Sequence, residues 1–367
     1  MRRSLTDQAF HRVITIADLG KGFMAESRQS WADIAKGIGI VLVVYGHVVR
    51  GWFGRDIPAE AAVHGLVDSV LYLFHMPLFF FLAGFFFVPS LRRHGGLGLM
   101  QGKVETILYP YVLWTIIQGS IGVALSTFAL TNRSVSISDI LSMGWRPLDQ
   151  FWFLYALFGI YLVAVCCGSI RERLTPWLLV MVGVLLYVAQ DALSEIPPVN
   201  FISAYLLYFA LGAVSPAFFE RLGGRPWLVA SVTMLMAILA QVAFHVYADW
   251  RSENCDAFFW YALPVTLLSL LAVVCLSRAL SCWRLPWLVY LGTASMGIYL
   301  MHTLVSAGLR VGMTKILGLH SEALYIIVGT VGGVIVPLMV LWFLERRHIT
   351  WPFRAPAWMR KASGARD

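Results

Sequence analysis

Long apolar stretches separated by short polar links recur from residue 33 to residue 344. A spanning helix needs roughly 20 mostly apolar residues. Ten stretches come near that length, at about 33–50, 66–88, 107–129, 151–169, 175–191, 200–219, 226–247, 257–276, 286–306 and 324–344. Most Arg, Asp, Gly and Pro residues collect in the links, and no soluble domain, repeat or low-complexity linker interrupts the series. The pattern predicts an all-α polytopic bundle of about ten transmembrane helices. It divides the chain into an N-terminal tail over 1–30, a transmembrane domain over 31–345 and a basic tail over 346–367.

Composition agrees with that pattern. The 367 residues are 59% hydrophobic and 13% charged, against about 45–50% and 25% in soluble domains. A formal charge of +8 raises nucleic acid or anionic lipid as partners, but the placement of the basic residues points to membrane orientation. With the N-terminus inside, 20 of the 28 Lys and Arg fall on the cytoplasmic side and seven on the other, with Lys36 in the membrane. By the positive-inside rule both tails are cytoplasmic, the bilayer is the expected partner and nucleic acid is not. No apolar segment precedes Trp31, so no cleavable signal peptide is visible. The five cysteines form no Cys-x-x-Cys pair, which supports neither a disulfide framework nor a metal site.

Ionisable residues inside the apolar runs carry the functional signal, because such groups are costly in a membrane and usually face the bundle interior. The stretch Asp33-Ile-Ala-Lys36-Gly-Ile-Gly-Ile-Val-Leu-Val-Val-Tyr-Gly-His47 holds a carboxylate, an ammonium and an imidazole. Eleven positions separate Lys36 from His47, roughly 16 Å along one helix. The expected topology puts His47, His75 and His302 all in the outer half of the bilayer, which suggests a shared polar cavity opening outward. The alternative for each is a packing histidine bonded to a nearby carbonyl. Near the cytosolic side, Asp33, Lys36, Arg92, Arg93 and Lys103 form a cluster suited to a polyanion such as a nucleotide phosphate. Positive-inside anchoring already accounts for Arg92 and Arg93.

Four local patterns occur in order. The first is Arg28-Gln-Ser-Trp-Ala-Asp33-Ile-Ala-Lys36-Gly37-Ile-Gly39, leading into Tyr45-Gly46-His47. The second is Phe74-His75-Met76-Pro77-Leu-Phe-Phe-Phe-Leu-Ala-Gly84. The third is Tyr109-Pro110-Tyr111-Val-Leu-Trp114 with the later Phe151-Trp152-Phe153-Leu154-Tyr155. The fourth is Tyr290-Leu-Gly292-Thr-Ala-Ser295-Met-Gly-Ile-Tyr299-Leu-Met-His302. Together, from about residue 28 to 345, they resemble the acyltransferase-3 family of bacterial membrane O-acyltransferases.

The resemblance implies a ten-helix fold in the bacterial cytoplasmic (inner) membrane. It implies transfer of an acyl group, most often acetyl, from acyl-coenzyme A to a hydroxyl of an exported glycan or glycolipid such as exopolysaccharide or O-antigen. The family's Lys/Arg-x10-His pattern matches Lys36 and His47, and makes that histidine catalytic. Members often carry Arg-x-x-Arg before the third span; here the matching stretch is Lys103-Val-Glu105-Thr106. On this resemblance Arg28, Lys36, Arg92, Arg93 and Lys103 become candidate contacts for the coenzyme. Asp33 would orient Lys36 or Arg28. His75 or His302 would orient His47 or donate to the oxyanion. Arg50, Trp152, Tyr155 and Tyr299 are candidate acceptor contacts; an interfacial aromatic belt explains the three aromatics equally well.

The chemistry fits the residue types. Acyl transfer to an alcohol needs a base, positive character near the oxyanion and exclusion of water. Histidine, with an unperturbed pKa of ~6.5, is mostly neutral at cellular pH. His47 would serve as general base or as a covalent acyl carrier. The rival reading from another class is a transporter or flippase with a histidine proton relay, although no paired halves are visible.

Overall fold

The computed structural model describes residues 30–54, 57, 61–128, 134–170, 174–222, 224–247, 261–356 and 359. Arg28 lies outside them. The described elements are α1 (Ser30–Phe53), α2 (Ala62–Phe85), α3 (Phe87–Lys103), a π-helical turn (Val104–Leu108) and α4 (Tyr109–Ser126). They continue with α5 (Ile137–Leu141), α6 (Trp152–Ile170), α7 (Thr175–Val188), α8 (Gln190–Leu193), α9 (Pro197–Val214) and α10 (Pro216–Arg221). The last are α11 (Pro226–Tyr247), α12 (Ala262–Leu280), α13 (Pro286–Thr293), α14 (Ser295–Val311) and α15 (Glu322–Arg346).

The protein is a multi-pass membrane bundle of helices. Among the described residues eight helical runs are long and apolar enough to span: α1, α2, α3 with α4, α5 with α6, α9, α11, α12 and α15. The expected span at 286–306 is not one straight helix. It breaks between α13 and α14, which meet at 74°. The expected span at 175–191 is the 14-residue α7, apolar but shorter than a bilayer requires.

Helix α1 runs through the middle of the bundle. Ile34, Ala35, Ile40, Val43, Val44 and Val48 are all buried, and α1 touches α2, α12, α13, α14 and α15. Small residues permit this crowding. A Cβ at Gly292 on α13 would overlap the Asp33 carbonyl oxygen, and one at Gly37 would press on that of Leu288. Gly84 on α2 meets the Phe209 carbonyl of α9 in the same way. Three of the motif glycines are therefore contact points between backbones.

Pro77, in the middle of α2, has no N–H to offer the Leu73 carbonyl one turn back. In a membrane an unpaired carbonyl costs several kcal/mol. The Thr266 hydroxyl of α12 donates to it at 3.0 Å. The proline position in α2 is thus tied to a neighbouring helix at the level of His75.

Beyond α15 the chain folds back onto the start of α4. The Trp114 indole N–H donates to the Pro352 carbonyl at 2.7 Å and its ring stacks on Phe353. Arg354 reaches the Glu105 carboxylate at 3.3 Å. The carboxylate that interrupts the basic pattern after Lys103 therefore has a cationic partner from the C-terminal segment.

Candidate active site

Three imidazoles lie close together where α1, α2 and α14 meet. The rings of His47 and His302 have centroids 5.0 Å apart. His47 and His75 line a cavity of 720 Å³, while His302 lies behind the wall, with no exposed surface. His75 Nδ1–H donates to the Leu71 carbonyl at 2.6 Å, and His302 Nδ1–H donates to the Tyr299 carbonyl at 2.7 Å. A carbonyl can only accept, so both protons are assigned to Nδ1. Each neutral ring then has its single N–H committed and presents Nε2 as an acceptor. The Nε2 of His302 is buried with no hydrogen-bond partner. Carbonyl bonding and participation in the cavity, the two alternatives for His75 in the sequence, coexist here.

One turn beyond His47, Arg50 also lines the cavity. Asp68 of α2 holds its guanidinium in a two-pronged pair, Nε to Oδ1 at 2.9 Å and Nη2 to Oδ2 at 2.8 Å. The guanidinium carbon also sits 3.1 Å from the centroid of the Tyr72 ring. This fork fixes both the position and the plane of the cation.

A polar wall completes the cavity. Asp149 adopts a left-handed backbone (φ 42°), which Asp tolerates better than most residues, and delivers Gln150 just before α6. The Gln150 amide donates to Gln118 Oε1 at 2.8 Å and to the Thr303 hydroxyl at 2.7 Å. The Tyr299 hydroxyl donates to the Gln150 carbonyl, and the Gln118 amide donates to the Leu300 carbonyl. Trp152 lines the same space and stacks on Phe201.

The remaining sequence candidates fall elsewhere. Tyr155 does not line the cavity. Its hydroxyl donates to the Gly144 carbonyl at 3.0 Å and its ring lies beside Tyr111, a packing arrangement. Asp33, expected above to orient Lys36 or Arg28, is 14 positions from His47, about 21 Å along the helix axis. It accepts from Lys36 Nζ at 3.0 Å. Lys103 rests over the Tyr161 ring at 4.3 Å and lies within electrostatic reach of Lys36. Arg92 and Arg93 are exposed on α3. The sequence reading missed Asp68, Tyr72, Gln118, Gln150 and Thr303. Asp68 carried a usable signal, a carboxylate in an apolar run; the amides and the threonine carried none.

A bundle with buried acceptor imidazoles around a polar cavity suits either acyl transfer or proton-coupled transport. Comparison with known proteins separates them. The family model described as an acyltransferase domain matches residues 29–342. The chain belongs to the acyltransferase-3 family. Its helical bundle is thus an acyltransferase domain. It is similar to the nodulation protein NolL of Sinorhizobium fredii, 22% identical over 230 residues, 63% of this chain and 60% of that protein. The NolL of Mesorhizobium japonicum is 22% identical over 223 residues, 60% of this chain and 56% of that protein. The alignments thus span less than two thirds of these curated relatives. No solved structure is significantly similar.

Proposed function

We propose that this acyltransferase moves an acyl group, acetyl in the simplest case, from acyl-coenzyme A to a hydroxyl of an exported glycan, with His47 as general base. The observation that carries the reading is His47 itself: one side faces a polar cavity, and a buried acceptor-only imidazole stands behind it.

In this scheme the acceptor hydroxyl enters the cavity and gives its proton to a His47 nitrogen. Its oxygen attacks the thioester carbonyl. The tetrahedral centre then expels the thiolate, the C–S bond breaks, and the proton leaves His47 with the departing sulfur. The other ring nitrogen of His47 carries an N–H, and the Nε2 of His302, unpartnered with its ring 5.0 Å away, accepts it once the two rings approach. His302 is a positioning residue in this scheme: it selects the tautomer of His47 and aims the base into the cavity. Because both His75 and His302 have spent their N–H on carbonyls, Arg50 is the better donor to the oxyanion, and Asp68 and Tyr72 hold it ready. The donor's phosphates bind at the other end of α1, near Lys36 and Lys103, on the cytoplasmic face of the inner membrane. Trp152 and Tyr299 contact the acceptor.

The test is transfer of labelled acetyl from acetyl-coenzyme A to glycan by purified protein in nanodiscs. His47→Ala is expected to lower the rate by about 10³-fold while the protein still inserts and stays monodisperse. Transfer by that variant at the wild-type rate sinks the assignment.

A further inference from the structure

Apart from the histidines, three charged side chains line the cavity: Arg50, Asp149 and Arg310. Arg50 is held by Asp68. The half-buried Arg310 is different: among the described residues its guanidinium makes no hydrogen bond and no ion pair. Its backbone carbonyl accepts from Thr314 and its charge lies within electrostatic reach of the Tyr325 hydroxyl, but among the described residues no carboxylate pairs with it. Positive-inside orientation does not explain it either, since Arg310 falls on the side that receives only seven of the 28 basic residues.

Its placement is specific. Tyr299, Thr303, Ser306 and Arg310 follow at helical spacing along α14 and all line the cavity. Arg310 is eight positions beyond His302, about 12 Å along the helix. An arginine presents a planar fork suited to carboxylate or phosphate, and a cation withdrawn from bulk water is costly until it is paired. We infer that Arg310 is the recognition site for an anionic group on the acceptor, a carboxylate or phosphate carried away from the hydroxyl that is acylated. The inference rests on the proposed function and deepens it: the acceptor class is an acidic or phosphorylated glycan.

Binding to the full chain in nanodiscs, followed by fluorescence titration, tests this without turnover. Three probes are used: a glucuronic-acid-terminated disaccharide, its carboxyl-reduced counterpart and a sugar 1-phosphate. Wild-type protein is expected to bind at least one acidic probe tenfold or more tightly than the reduced disaccharide. Which acidic probe wins identifies the anion. Arg310→Gln is expected to bring the ratio close to one, and Arg310→Lys to keep part of it, which separates lost recognition from lost folding. Equal binding of all three probes by the wild type, or a preference that survives Arg310→Gln, overturns the inference. A protein that discriminates between probes but shows no His47-dependent transfer refutes the proposed function and leaves the anion site standing.

Discussion

The two ends of α1 carry charged or titratable groups of similar kinds, yet the bundle treats them differently. At the Lys36 end the ammonium pairs with Asp33 one turn away on the same helix, and both side chains keep substantial exposure, 33% and 23%. Pairs of that kind contribute about 0–1 kcal/mol. At the His47 end the groups come from different helices: Arg50, 23% exposed, is locked through two prongs to Asp68, whose side chain is only 10% exposed. Removing one partner costs more here, though less than the roughly 3–5 kcal/mol of a fully buried pair. The difference teaches which end is shaped in advance. The His47 end is built by tertiary structure, with its donors and acceptors fixed before any substrate arrives. The Lys36 end is assembled locally and can exchange its partner for a ligand phosphate at little cost.

This contrast can be broken at its strong end first. After the His47 change itself, the largest effect is expected from His302→Leu. Losing the acceptor behind His47 lets the base swing, and misplacement of about 1 Å can cost on the order of 100-fold in rate. Steady-state kinetics should show this loss in kcat with both KM values nearly unchanged. His302→Gln, whose carbonyl can accept, should recover most of it; equal losses in the two variants would reduce His302 to packing. At the weak end, Lys36→Gln is expected to raise the donor KM by about tenfold, the loss of one charge-assisted hydrogen bond, with kcat kept. A fall in kcat instead would move Lys36 from donor binding to chemistry. The smallest effect belongs to Tyr155→Phe. Activity should change by less than about twofold, and thermal melting should register at most about 1 kcal/mol for the lost bond to Gly144.

Much of this was legible in the chain. Apolar length located the helices because a bilayer imposes a minimum span. The same cost of burying charge pointed to His47, His75, His302 and Lys36. Three things were not legible. The break between α13 and α14 lies beside the backbone contact at Gly292 with apolar residues on both sides, and hydropathy cannot register it. The separation of Tyr155 from the cavity depends on helix rotation, and an aromatic residue in an apolar run looks alike on every face. Gln118, Gln150 and Thr303 are ordinary polar residues until three segments of chain bring them together; only the fold makes them a network.

The contact at Gly292 has a further consequence. From Gly37 to His47 is ten residues, and from Gly292 to His302 is also ten. The two stretches touch at both ends, through the backbone at one and through imidazoles at the other. The second stretch turns at the 74° break just past Gly292, and α14 then brings His302 back against α1 at His47. Adding a single residue to either one would turn its histidine by about 100° and carry it about 1.5 Å out of step. Chain length between those landmarks is therefore as strictly set as the identity of the rings themselves.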